Sequence, residues 1–230
     1  MSLLSSVGRS LRTRGAVWTL RRLWSFAVDR IDETLYDVRF GTDTAGIVDL
    51  DELRISSHNR TRGSRYQPTR PRPFARMMAD LDLSTDNVFV DMGCGKGRVL
   101  LLAAGYGFRK VRGVDFSPYL CDIARRNISR YFAKATDKPQ IEVVEADVAD
   151  YRVRDDETVF FLFHPFDAVV LNSLVTNIVA SMDRSPRTVW IVYENAFYGQ
   201  VIARKGRFAA VRRYNFDGRE TVVYRGTGRG

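Results

Sequence analysis

Between residues 74 and 194 short apolar runs alternate with stretches of helical spacing. Val88–Met92, Val111–Asp115, Ile141–Val144, Thr158–Phe163 and Thr188–Tyr193 read as strands, rich in β-branched and aromatic residues. Residues 74–83, 99–105, 117–132 and 168–182 carry the apolar positions of helices between them. Thr158–Phe163 is apolar almost throughout, the pattern of a central strand buried on both faces. Ser117 and Pro118 supply an N-cap and a first-turn proline for the third helix. Phe208–Phe216 and Thr221–Arg225, joined by Asp217-Gly218, form a closing hairpin. The fold class is therefore α/β: three layers, αβα, around a seven-stranded, mostly parallel sheet whose last strand is antiparallel.

The chain ahead of this region is patterned differently. Residues 8–36 predict one amphipathic helix, an N-terminal helical extension with Val17, Leu20, Trp24, Ala27, Ile31 and Leu35 on one stripe. Its first part is basic (Arg9, Arg12, Arg14, Arg21, Arg22) and its last part acidic (Asp29, Asp32, Glu33, Asp37). Such a helix either packs on its own domain or meets an anionic membrane surface or a protein partner. Residues 41–73 lack periodicity, are broken by glycine and proline, and are strongly basic. This divides the chain into an N-terminal helix and basic lid or linker (1–73) and one α/β domain (74–230).

The chemistry centres on the first two strands. The first runs into Asp91-Met92-Gly93-Cys94-Gly95-Lys96-Gly97-Arg98, and the second ends in Asp115. Strand, glycine turn, helix, strand and acid is the layout of a nucleotide-type site. The glycines alternate, and Arg98 stands where a dinucleotide fingerprint has its third glycine. This arrangement resembles motif I of the class I S-adenosylmethionine (SAM) methyltransferases, whose fold is Rossmann-like. The resemblance spans roughly residues 66–225. It implies SAM as methyl donor, with S-adenosyl-L-homocysteine as product. It also implies a cofactor site of Asp91, Gly93, Gly95, Gly97, Asp115, Phe116, Asp147 and Val148. In the family the glycine turn lets the backbone pass close to the methionine part of SAM. The acid at Asp115 binds both ribose hydroxyls, a role suited to an acceptor-only carboxylate, and Asp147-Val148 lies at the adenine.

Two further elements bear on the methyl acceptor. Tyr66-Gln67-Pro68-Thr69 resembles a lid element of some seven-strand lysine methyltransferases, including the mitochondrial ATP-synthase c-subunit type. His164-Pro165-Phe166 falls where motif IV of the family faces the transferred methyl group. Enzymes that methylate nucleic-acid amino groups often carry Asn/Asp-Pro-Pro-Tyr/Phe there; this chain has His and a single proline. His164 and Tyr66 are the catalytic candidates, and Pro165, Phe166 and Glu194 the substrate candidates. His164 has an ordinary pKa near neutrality, fit to relay a proton from an amine, or it only hydrogen-bonds the loop. The expected activity is methyl transfer to an unidentified acceptor, such as a protein amine (lysine). The alternatives are a small-molecule or lipid acceptor, with docking through the basic helix, and a SAM-binding interaction module without turnover.

Composition narrows this little. The 230 residues carry a net charge of +9, and nearly all the basic residues are arginine with acids interspersed. Nucleic acid is a possible partner by charge, but no recognition motif supports it. Cys94 and Cys121 form neither a disulfide framework nor a metal cluster, so no metal is expected. No apolar run reaches membrane-span length, and the first residues lack a signal-peptide pattern, which together fit a cytoplasmic protein.

Overall fold

A computed structural model describes residues 24, 31, 34–216 and 218–228. Most of the expected helix at 8–36 lies outside the described residues, as does Asp217; residues 34–40 are helical. Seven strands form one sheet: β1 (Val88–Met92), β2 (Lys110–Asp115), β3 (Gln140–Glu145), β4 (Glu157–Phe163), β5 (Thr188–Glu194), β6 (Phe208–Phe216) and β7 (Arg219–Thr227). Their order is β3-β2-β1-β4-β5-β7-β6. β1 to β5 are mutually parallel, and β7 runs antiparallel to both β5 and β6. The expected sheet and its antiparallel last strand are present.

Helices α1 (Pro71–Leu81), α2 (Arg98–Tyr106), α3 (Pro118–Tyr131), α4 (Ala168–Arg184) and α5 (Gly199–Ala203) cover the sheet. α1 begins at Pro71, three residues before the expected start, because Pro at the first helical position costs no hydrogen bond. Ser117 caps α3 by accepting from the Leu120 amide. α5 has too few residues to leave a period in the sequence. One face of the sheet buries Val90, Met92, Phe160, Leu162 and Tyr193 against α4. The other buries Phe89, Phe161, Val192 and Val223 under α1 and α2. Burial on both faces explains why β1 and β4 read as unbroken apolar runs.

The order reverses between β1 and β4, whose chain neighbours lie on opposite sides. The crevice at the carboxyl ends of these strands is where such sheets take ligands. At the opposite edge a buried ionic knot ties β2 to β4. Glu157 is fully buried and accepts from the Arg112 guanidinium, the Tyr151 hydroxyl at 2.5 Å and the Arg154 amide at 2.9 Å. Removing one partner of such a pair strands the other charge in the interior. Glu157→Ala is therefore expected to lower stability by about 3–5 kcal/mol in urea unfolding, and Glu157→Leu with Arg112→Met by clearly less.

Candidate functional site

The carboxyl-edge crevice is a pocket lined from β1, β2, the loop after β4 and the chain ahead of α1. Its floor is the turn from β1 into α2. Gly93, Gly95 and Gly97 take left-handed φ values of 85°, 51° and 83°. The space their missing side chains leave is used by protein. A Cβ on Gly93 would meet Pro165 at 2.5 Å, and one on Gly95 would meet the Tyr66 ring at 2.1 Å. So the glycines let the β4 loop and the chain ahead of α1 close onto the turn. The Gly97 position opens α2 and faces Ala124 of α3 rather than the cavity.

Two buried acids mark this floor. Asp115 accepts from the Gly95 amide at 2.8 Å with one oxygen and from the Ser117 amide at 2.9 Å with the other. Burial raises its pKa to about 6, against the lowering by those backbone donors. Asp91 is 3% exposed and also lines the cavity. Burial, with the charges of Asp115 and Glu194 nearby, holds its carboxyl well above the usual range. Among the described residues no donor reaches its oxygens. Asp147, Val148, Phe116, Tyr66, Pro165 and Phe166 line the same cavity.

His164 and Glu194 are elsewhere. Phe163 and Pro165 line the cavity, whereas the His164 ring lies outside it. With φ at +40° it packs against Phe197 and Tyr198 at centroid distances of 4.9 and 5.5 Å. Its Nδ1 lies 3.1 Å from the Tyr193 hydroxyl, and burial lowers its pKa. This corrects its expected position: alternation along β4 puts Leu162 and His164 on the α4 side, with Tyr193. Glu194 pairs in register with Phe163 on the neighbouring strand but does not line the cavity. It is buried, receives no hydrogen bond among the described residues, and titrates at about 7, raised by burial against the pull of Arg219 and Arg70. The Tyr66 hydroxyl donates to the Thr44 carbonyl at 2.6 Å, so Tyr66 presents its ring rather than a free phenol.

A strap, residues 42–69, roofs the cavity through contacts that sequence reading did not find. Lys96 Nζ donates to Asp43 at 3.1 Å and to the Ala45 carbonyl at 3.0 Å. Asn127 exchanges hydrogen bonds with the Asp43 backbone at 2.8 and 2.9 Å, and Arg98 donates to Thr44. Ser57 and Asn59 both donate to Asp147, whose pKa their hydrogen bonds lower against its burial. The strap then crosses to the β4 loop, where the Ser64 amide donates to the Pro165 carbonyl at 2.8 Å and Arg62 pairs with Asp167 at 2.8 Å. The one signal available was that Lys96 and Arg98 are large charged residues inside a glycine turn. His58, Asp147 and Asp150 bring possible metal-ligating atoms within 4.8 Å, but His58 and Asp150 are exposed and Asp147 is already engaged by the strap.

Residues 89–187 match a family model described as a methyltransferase domain. Two curated relatives are both trans-aconitate 2-methyltransferases. One, from Methylobacterium radiotolerans, is 34% identical over 68 residues, which is 29% of this chain and 26% of that one. The other, from Paracidovorax citrulli, is 30% identical over 100 residues, 43% of this chain and 35% of that one. The chain thus spans about a third or less of the length of these relatives. Among solved structures, an RNA methyltransferase from Salinibacter ruber in complex with S-adenosyl-L-homocysteine superposes with a TM-score of 0.52 at 22% identity. It covers 70% of this chain and 93% of that one. Magnesium protoporphyrin IX methyltransferase from Synechocystis with bound SAM gives 0.51 at 12% identity, over 68% and 77%. Residues 89–187 are thus similar to a methyltransferase domain, and the seven-stranded sheet has the fold of these solved SAM-dependent methyltransferases.

If Gly95 is there to admit the Tyr66 ring, a methyl group at this position must loosen the strap. Gly95→Ala is expected to speed tryptic cleavage at Arg60, Arg62 or Arg65 by about tenfold, the equivalent of ~1.4 kcal/mol, with the β-sheet circular dichroism unchanged.

Proposed function

We propose that this protein is a SAM-dependent methyltransferase. The observation that carries the reading is the pair of buried carboxylates on the cavity floor. Asp91 receives no donor among the described residues, and Asp115 is oriented by backbone amides alone. A buried carboxylate without a partner is costly. A ligand with an ammonium group and a vicinal diol satisfies both acids, and SAM carries both. Asp91 would take the ammonium and Asp115 the diol. Val148, beside Asp147, would flank the adenine.

When bound, SAM supplies a methyl group already activated on a sulfonium. The chain's task is then alignment and exclusion of water. Phe163, Phe166 and Val170 form an apolar wall, and the strap, paired with the Phe166 loop through Gly63 and Ser64, carries Tyr66 over the glycine turn. The acceptor class that goes with this site is a protein amine such as lysine. Glu194 lies outside the cavity, so the support for this class comes from the strap and not from that acid. The strap segment Tyr66–Thr69, similar to the lid of lysine methyltransferases, lines the cavity and supports it.

A second reading has its own observation. Arg65 lines the cavity, is exposed, and makes no ion pair among the described residues. A free guanidinium there suits a small carboxylic-acid acceptor, and the two curated relatives are named for such a substrate. Incubation with radiolabelled SAM and fractionated lysate separates the readings. Label in protein supports the amine. Label in the small-acid fraction, abolished by Arg65→Ala, supports the acid.

Cofactor binding has a pH signature. Asp115 must be ionised to accept from two hydroxyls, and its free-state pKa of about 6 means that it protonates below that value. Affinity for S-adenosyl-L-homocysteine measured by calorimetry is expected to hold above pH 6 and to fall below it, up to about tenfold per unit. Asp115→Ala is expected to weaken binding at pH 7.5 by about 1.5–3 kcal/mol and to flatten this dependence. Unchanged affinity in that variant would remove Asp115 from the diol role.

A further inference from the structure

The helix ahead of the strap presents its apolar stripe outward. Trp24, Ile31, Leu35 and Val38 are 74%, 57%, 58% and 75% exposed. At about 100° per residue they fall within roughly a sixth of the helix circumference. The other side of this helix faces the domain. Tyr36 packs tilted against Phe40 at 4.8 Å and Phe40 against Tyr131 at 4.5 Å, and the Arg98 guanidinium sits 4.3 Å from the centre of the Tyr36 ring. Asp37 accepts hydrogen bonds from Thr42, Thr44 and Ala45, which open the strap. The helix is thus fixed to the domain by its polar and aromatic side. Its stripe of large apolar side chains is left without a neighbour to cover it among the described residues, an arrangement that marks an interaction surface.

Charge identifies the occupant. In sequence the stripe continues N-terminally through Leu20 and Val17, and residues 1–28 contain Arg9, Arg12, Arg14, Arg21 and Arg22 and no acid. Arg21 and Arg39 fall beside the stripe at helical spacing, where long side chains cover apolar surface and keep their charge at its border. In sequence Asp29, Glu33 and Asp37 recur on the far side, and Asp32 is the one acid beside Arg21 and Arg39. An anionic lipid surface would neutralise these arginines; a second copy would do so only if packed antiparallel, with the arginines against Asp29, Asp32 and Glu33. We propose that the stripe Trp24–Ile31–Leu35–Val38 docks the protein on an anionic bilayer, lying in the headgroup layer beside its basic border. No helix among the described residues is long and apolar enough to cross a membrane, so the contact is peripheral.

The test is flotation of the full chain with vesicles of phosphatidylcholine containing about one-third phosphatidylglycerol. The expected result is co-flotation that falls at least tenfold in pure phosphatidylcholine vesicles or at high salt. Trp24→Glu combined with Leu35→Glu should reduce it by at least tenfold. Both side chains are exposed, and retained binding of S-adenosyl-L-homocysteine in that variant reports an intact domain. Absence of flotation by the wild-type protein overturns the proposal, and so does flotation that the double variant leaves unchanged. A concentration-dependent dimer in sedimentation, formed without vesicles and abolished by the same variant, assigns the stripe to a second copy and also overturns it.

Discussion

The hydrogen bond from the Gly95 amide to Asp115 joins the two strand ends on which the site depends. It holds the glycine turn in its left-handed path and keeps the second strand's acid aimed at the cavity. It also leaves that acid with backbone donors only. The turn in turn sets where Tyr66 and Pro165 come to rest, because each fills the space that a side chain on Gly95 or Gly93 would occupy. One buried carboxylate therefore fixes both the floor of the cavity and the approach of two of its walls.

The fold was legible because its signals are local and repeated. Apolar runs two-sided in their burial gave β1 and β4, and Ser117-Pro118 gave the start of α3. The exceptions follow from the same physics. α5 is shorter than two turns, and α1 starts on a proline that also reads as a breaker. The glycine turn on the cavity floor was legible too, since alternate glycines between a strand and a helix leave a local mark.

The acceptor side was much less so. His164 sits in the expected loop, but strand alternation and a positive φ turn its ring toward Tyr193 and Tyr198. Sequence position alone does not report such a turn. Asp147 was read for the adenine, yet its carboxylate is the anchor of the strap through Ser57 and Asn59. Those partners stand 90 and 88 residues away in sequence, and no motif links them. Glu194 differs again: nothing in its neighbourhood in sequence announces that it is buried without a hydrogen bond.

The strap's anchors have a consequence for the order of folding. Asn127 meets Asp43 across 84 residues, Asp147 meets Asn59 across 88, and Asp167 meets Arg62 across 105. Each contact closes a loop that contains at least β1 and β2, so none repays its closure entropy until those strands have paired. The roof assembles on a finished sheet. Besides these polar contacts it is held by one small apolar cluster, Leu53 and Tyr66 against Leu120 and Ile123 of α3, so opening it exposes that cluster and leaves the two cores of the sheet buried. Entry to the cavity thus needs only the last folding step to reverse, while the sheet beneath stays intact.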